Sequence, residues 1–374
     1  MTRLFRALGM ISGTSIDGID TALIETDGLN DVRPLAFMPH SYDAEFRTRL
    51  RGCFGNRAGT NAPEVAAFER ELTELHAALA LQFLQENNLT PDDIDLLGFH
   101  GQTIWHRPEE GVTIQIGDGA LLAELTGVPV VNDFRTADVR AGGHGAPLVP
   151  LYHRALACSL PKPVAIINIG GVTNITWIGG DSDDEILAFD MGPGNALIDD
   201  WVLRHTGQAF DEYGELAAAG RADAAWVAAF LNHPFFSLKP PKSLDRDAWT
   251  GLIPEILSPA DGAATLTLMT ASAIAEGLRH APEPPRQLYI TGGGRHNLTM
   301  MRLIAERSGL PVASVDSLGW SGDGLEAEAF GYLAVRSKLG LPLSVPGTTG
   351  VREPVSGGRF HPAHCASQQQ SAVF

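Results

Sequence analysis

The chain has 374 residues, with 27 Lys and Arg against 44 Asp and Glu for a formal charge of −17. The length exceeds what one hydrophobic core usually serves and predicts two domains, while the charge repels nucleic-acid phosphates and anionic lipid, so neither nucleic acid nor membrane is expected as a partner. Cys53, Cys158 and Cys365 lie far apart with no C-x-x-C spacing, as for free thiols in the cytoplasm, and neither a signal peptide nor a long apolar span is evident.

In chain order, residues 4–11 and 19–25 are apolar and flank SGTSIDG, rich in turn formers, so GMISGTSIDGIDTALIETDG (residues 9–28) reads as a β-hairpin with a polar tip. Residues 62–88 repeat apolar positions at helical spacing. DLLGFHG, VTIQIG and VPVVNDF follow as short strands, with a helix over DGALLAELTG between the last two. After AGGHGAPLVP (141–150), a Gly- and Pro-rich boundary, the plan restarts: residues 163–181 are again strand, Gly-containing polar turn, strand. ILAFDMGPGNALIDDWVLRH and RQLYITGGGRHNLTMMRLIAER each run from a β-segment through a glycine-rich turn into a helix, and residues 261–280 form a long helix between them. From Ser344 onward the chain reads as progressively unstructured. Two halves that each open on a hairpin predict a duplicated α/β architecture with a ligand cleft between two lobes.

An anion bound by so acidic a chain must be met by backbone N–H groups, which small residues expose. Gly13, Thr14, Ser15 and Gly18 suit that need, and Asp17 and Asp20 can hold a hydrated Mg²⁺ beside a phosphate. The plain alternative is a turn with solvated aspartates. Gly170 and Gly171 in NIGGVTN repeat the arrangement, so that two hairpins could clamp a polyphosphate. Gly292, Gly293 and Gly294, expected at a helix start, either lie flat against a base or ribose or make a tight turn only. No G-x-x-x-x-G-K-[ST] and no strand-linked G-x-G-x-x-G occurs, which removes Walker and Rossmann readings. Lys239 and Lys242 are phosphate donors or, more plainly, solvated loop charges.

Asp190 closes the apolar run ILAF and precedes MGPGN, which predicts a general base at a strand's carboxyl end. A helix N-cap is the alternative, weakened by the residues that intervene before a helix near Asn195. Composition alone makes Glu326 a surface helix acid. His100 and His106 fit no zinc spacing. Gln102 and Thr103, at a strand end, suit sugar hydroxyls, with Trp105 as an apolar platform. Arg135 can meet a carboxylate or phosphate, or pair with Asp133 or Asp138. The terminal HPAHC reads as a disordered end and not a metal site.

Taken together, GMISGTSIDGID, FHGQTIWH, IQIGD, NDFRTADVRAGGHGAPLVP, NIGGVTNIT, FDMGPGNALIDD, PPKS and EAEAFGYLA resemble the anhydro-N-acetylmuramic acid kinase family, in family order from residue 9 to about 335. The resemblance implies an actin-like fold of two ribonuclease H-like lobes, residues 1–138 with 336–374 and residues 139–335. It also implies ATP and Mg²⁺, and a 1,6-anhydro amino sugar released by cell-wall turnover; a homodimer is compatible with it. Carried over by position, Gly13, Thr14, Ser15, Ile16, Asp17, Gly18, Ile19 and Asp20 are similar to the family's ATP loop. Gly170, Gly171, Asn174, Gly292, Gly293 and Gly294 join them, with Asp17 holding Mg²⁺ through water. Asp190 falls at the catalytic base, and Gln102, Thr103, Arg135 and Glu326 belong to the sugar pocket. Met191 departs from the pattern, which has Thr there. The implied reaction opens the anhydro ring with water and phosphorylates O6. A levoglucosan-type kinase and a sugar-independent, chaperone- or filament-like ATPase are the alternatives.

Overall fold

The computed structural model describes residues 3–13, 15–244, 249 and 257–363; Thr14 and Cys365 lie outside them. β1 (Phe5–Ser12), β2 (Gly18–Thr26) and β3 (Val32–Ser41) form a meander, followed by α1 (Ala44–Gly52) and α2 (Pro63–Glu86). Next come β4 (Leu96–Arg107), β5 (Val112–Ile116), α3 (Gly119–Thr126), β6 (Val130–Asn132), α4 (Thr136–Arg140) and α5 (Pro150–Leu156). A second meander, β7 (Val164–Ile169), β8 (Val172–Ile178) and β9 (Ile186–Pro193), leads to α6 (Ala196–Thr206), α7 (Glu215–Ala219), α8 (Ala224–Phe230) and α9 (Pro259–Gly277). The remainder is β10 (Leu288–Thr291), α10 (Leu298–Ser308), β11 (Val312–Ser314), α11 (Leu325–Lys338), α12 (Pro346–Thr349) and β12 (Arg359–His361). Among the described residues no helix is long and apolar enough to cross a membrane.

The chain divides into two compact units, residues 1–158 with 324–374, and residues 159–323. The boundaries therefore fall away from the expected 138/139 and 335/336, and side chains explain why. The Tyr152 hydroxyl on α5 donates to Glu328 Oε2 on α11 at 2.7 Å, which carries α5 with the first unit. The whole of α11 packs on β1, β2 and β4.

In the first unit the sheet order is β12-β6-β4-β1-β2-β3, with β5 paired to β4. β1, β2 and β3 pair antiparallel, while β4 runs parallel to β1 and β6. The second unit has the order β11-β10-β7-β8-β9, again with an antiparallel meander and a parallel β10. Discounting β5 and β12, both sheets share the ribonuclease H-like order 3-2-1-4-5, so the duplication read from the sequence is present in topology.

Both faces of the first sheet are covered. On α2, Val65, Phe68, Leu72, His76, Leu79 and Phe83 recur every three or four residues and are buried in a core shared with Leu8, Met10 and Phe99. On α11, Ala327, Phe330 and Ala334 pack with Ile11, Leu96 and Val131. This contact needs bare backbone: a β-carbon on Gly9 would stand 1.9 Å from the Ala327 carbonyl oxygen, and one on Gly98 would stand 2.1 Å from that of Phe330.

Three expectations change. DLLGFHG and the following HGQTIWH form one continuous strand, β4, bent at Gly101 with φ +68, so Gln102 and Thr103 lie inside a strand and not at its end. The first half of β4 pairs with β1 and β6 and the second with β5. The stretch after Ser344 is ordered as far as it is described: β12 pairs antiparallel with β6, and Ser344 and Thr349 donate their hydroxyls to the buried Asp138.

Candidate active site

The first hairpin tip spans residues 13–17, between Ser12 and Gly18. Ile16 has φ +56, an uncommon conformation for a β-branched residue, and its N–H donates to the Gly13 carbonyl at 3.2 Å. Ile16 and Ile19 bury their side chains in the core, so only their backbone is available to a ligand. Gly18 is obligatory, since a β-carbon would lie 2.0 Å from the His40 carbonyl oxygen. Ser15 donates to Asp17 Oδ1 at 2.7 Å, and both residues are exposed. Among the described residues no three His, Cys, Asp or Glu form a metal-holding group. A hydrated Mg²⁺ on a nucleotide needs only one or two carboxylates, and the exposed Asp17 fits that role.

Behind the tip runs a chain of hydroxyls. Tyr42 donates to Ser12 Oγ at 2.7 Å, and Ser12 donates to Gln102 Oε1 at 2.5 Å, while Gln102 Nε2 donates to the Thr103 carbonyl at 3.2 Å. Gln102 is fully buried and thus spends its amide inside the protein, tying β4 to the first hairpin. Burial holds the Tyr42 hydroxyl protonated, far above its ordinary pKa. Thr103 is half-buried and accepts from Gln115 at 3.2 Å, and the Arg57 and Arg107 guanidinium carbons stand 4.9 and 5.0 Å from the centroid of the Trp105 ring.

Arg135 pairs with neither Asp133 nor Asp138. Its Nε donates to His100 Nε2 at 2.9 Å and its Nη1 to the Gly145 carbonyl at 2.7 Å. Burial lowers its pKa to about 10, with Glu326 and Asp138 opposing. Solvent reaches Glu326, but protein crowds its carboxyl, and that desolvation raises its pKa, opposed by Arg135 and helped by Asp17. Glu326 thus feels the charge of both Arg135 and Asp17. Sequence reasoning weighs His100 only against zinc spacings; its bond with Arg135, 35 positions away, has no local signal.

In the second unit the tip of the β7–β8 hairpin is Gly170–Gly171, and across it Asn174 stands in register with Asp190 of β9. The β8–β9 pairing slips between Thr173 and Asn174, leaving Met191 as the extra residue of a bulge, so Asp190 sits within the strand and not at its end. Met191 is wholly buried in the core against Gly277 of α9. Asp190 is half-buried: its Oδ2 accepts the Leu244 N–H at 2.6 Å, and its own N–H donates to the Lys242 carbonyl at 3.0 Å. Burial raises its carboxyl to about 7, against the lowering pull of the Leu244 amide and Lys242. Lys242 is no solvated loop charge. It is buried, donates to the Phe235 carbonyl at 3.1 Å, lies 4.5 Å from the Phe235 ring, and has its pKa lowered by desolvation.

Gly292 has φ +73 and would drive a β-carbon to 2.3 Å from Asn168 Oδ1, so the turn needs glycine. The three glycines lead into a 3₁₀ turn, Gly293–His296, and α10 starts later, capped by Asn297. Gly293 lines a cavity of about 420 Å³ with Asn195, Asp199, Phe210, Tyr213 and His296. Phe210 and Tyr213 are exposed aromatics that offer stacking faces, and neither carried a sequence signal.

A family model described as anhydro-N-acetylmuramic acid kinase matches residues 5–363. A protein of that name from Rhizorhabdus wittichii is 50% identical over 365 residues, 96% of this chain and 100% of its own. Another from Rhodopseudomonas palustris is 50% identical over 364 residues, 95% and 99% of the two chains, and one from Rhodospirillum rubrum 49% identical over 357, 96% and 94%. Among solved structures, the ADPNP-bound activator of 2-hydroxyisocaproyl-CoA dehydratase from Clostridium difficile aligns with a TM-score of 0.43 at 12% identity, covering 89% of this chain and 97% of its own. A ROK family glucokinase from Streptomyces griseus, in complex with glucose and AMPPNP, gives 0.38 at 13%, covering 88% and 99%. At that distance the fold rests on the shared sheet order, and the family on sequence. With its model matched almost end to end and relatives half identical over their full length, the chain belongs to the anhydro-N-acetylmuramic acid kinase family.

Proposed function

We propose that the chain opens the 1,6-anhydro ring of anhydro-N-acetylmuramic acid with water and transfers the γ-phosphoryl group of ATP to O6, with Asp190 as the general base. The O6 of this sugar is locked in an ether to C1 and has no proton to lose. Asp190 takes a proton from water as the water oxygen bonds to C1; the C1–O6 bond breaks, O6 bonds to the γ-phosphorus, and the bond to the ADP oxygen breaks. Products are the sugar 6-phosphate, ADP and a proton held on the carboxyl. The phosphoryl group does for O6 what an acid proton does for the leaving group of a glycosidase, so one carboxylate serves.

The observation that carries this reading is the state of Asp190. A base works best with a pKa near the working pH, and half-burial on β9 moves this carboxyl to about 7 while a single backbone N–H fixes one oxygen. Each unit has a glycine turn suited to phosphate oxygens: the hairpin at 13–20 in the first, and Gly170 and Gly171 with Asn174 in the second. The cavity beside Gly293 suits a planar base stacked on Phe210 or Tyr213. Mg²⁺, when bound, neutralises phosphate charge, and Asp17 is the residue to hold it through water. Thr103, Arg135 and Glu326 would bind the sugar directly, whereas Gln102 supports Ser12 from behind. Arg135 favours a sugar bearing a carboxylate over levoglucosan, which lacks one. Turnover in ¹⁸O-labelled water tests the scheme: label belongs at C1 of the product, and label in the phosphate would refute it.

A further inference from the structure

His100 is buried beneath the Phe330 ring, 4.5 Å between centroids, and has no role in the proposed reaction. Its two ring nitrogens have fixed roles because neither partner can reverse. Nδ1 lies 2.9 Å from the Gly101 carbonyl oxygen, which only accepts, so Nδ1 carries the proton. Nε2 receives the Arg135 Nε–H at 2.9 Å, and a guanidinium only donates, so Nε2 carries the lone pair. Desolvation, with Arg135 beside it, keeps the ring neutral.

Arg135 is thereby held at two points. His100 holds Nε, and the Gly145 carbonyl holds Nη1; Gly145 is itself fixed by its N–H donating to Asp138 Oδ1 at 2.6 Å. Phe330 lies under the guanidinium, 6.0 Å from ring centroid to Cζ. Of five N–H groups, two are spent in place and the Nη2 pair makes no hydrogen bond among the described residues. A planar fork fixed at Nε and Nη1, with its Nη2 hydrogens uncommitted among the described residues, offers a carboxylate donors in one fixed plane.

We propose that His100, held as its Nδ1–H tautomer, is a positioning residue that aims the Arg135 fork at the carboxylate of the anhydro amino sugar. This rests on reading Arg135 as a sugar-side donor. An acceptor at this point must be neutral and rigid. A carboxylate here would compete with the ligand for the cation, and water would not fix the fork's plane. Imidazole in one tautomer meets both demands.

The test compares His100→Phe, His100→Gln, Arg135→Met and the double variant His100→Phe/Arg135→Met in steady-state kinetics with anhydro-N-acetylmuramic acid and ATP. Phe keeps the ring and loses the acceptor; it should raise KM for the sugar about tenfold or more, the span of a hydrogen bond to a charged group, and leave KM for ATP unchanged. Gln restores an acceptor and should recover most of that loss. In the Arg135→Met background the His100→Phe change should add nothing. If Arg135→Met leaves the sugar KM unchanged, the reading of Arg135 itself falls. If Arg135→Met raises it but His100→Phe does not, or if the two effects simply add, only the positioning role falls. Should His100→Phe not fold, ¹⁵N shifts of the imidazole decide: the native protein must show Nε2 unprotonated, with a signal that moves in Arg135→Met. A ring protonated on Nε2, or a signal that stays put, overturns the proposal.

Discussion

The Leu244 amide donates to Asp190 Oδ2 across 2.6 Å, and among the described residues the other carboxylate oxygen accepts no hydrogen bond. One oxygen is anchored and one is available for a proton, on a carboxyl that burial has moved to about 7. A base must be ionised to act, so kcat/KM should fall about tenfold per pH unit below 7 and level off above it. Asp190→Asn should remove that limb and lower turnover by about 10²- to 10⁴-fold. A pH–rate profile of both proteins checks this, and an Asn variant with native turnover would sink the assignment.

Glu328 gives a separate pH signature in stability. Its buried carboxyl is raised from 4.5 to about 7 by desolvation, opposed by the Tyr152 hydrogen bond. The folded state therefore binds the proton more tightly than the unfolded chain. Its contribution is fully present below about pH 4.5 and is lost as pH rises through 7. Glu328→Gln keeps an acceptor for Tyr152 without the charge, and should raise the thermal midpoint at pH 8 relative to the native protein while leaving it little changed at pH 5. Equal differences at both pH values would contradict the shift.

Met191 stands where the sequence resemblance leads one to expect Thr, and it packs in the core against Gly277. Met191→Thr would leave a void and bury a hydroxyl, for a cost of about 2–4 kcal/mol. Denaturant unfolding measures it. Since the side chain points into the core and not toward the carboxyl of its neighbour, the kinetic constants should change only a few-fold.

Tyr42→Phe removes the outer hydroxyl of the chain that runs through Ser12 to Gln102. Ser12 keeps its own donation to Gln102, so the fold should lose only about 0.5–1.5 kcal/mol. The loosened hairpin should show as a several-fold rise in KM for ATP. An unchanged nucleotide KM with lowered stability would make Tyr42 a structural residue only.

Much of this architecture was legible from local chemistry. Both hairpins, α2, α3 and α9 carry their period and punctuation within a short window, and Asn195 was correctly expected near a helix start. β3 was not foreseen, because Pro34 and Pro39 argue against a strand interior; the contradiction dissolves once β3 is seen to be the sheet edge, where a missing N–H costs little. β12 was hidden for a different reason. Its three residues pair with β6, more than two hundred positions earlier, and nothing local announces that. Residue types named Asp190 and Arg135 as candidates, but the bulge at Met191 and the tautomer of His100 exist only through long-range pairing.

The missing β-carbons at Gly9 and Gly98 have a mechanical consequence. α11 is seated so deeply on the sheet that sliding it by one residue would force main chain through main chain. Glu326 in the first turn of α11 and the loop that begins just past Ser12 are therefore carried on one stiff beam, and any movement that repositions the loop must carry the carboxylate with it.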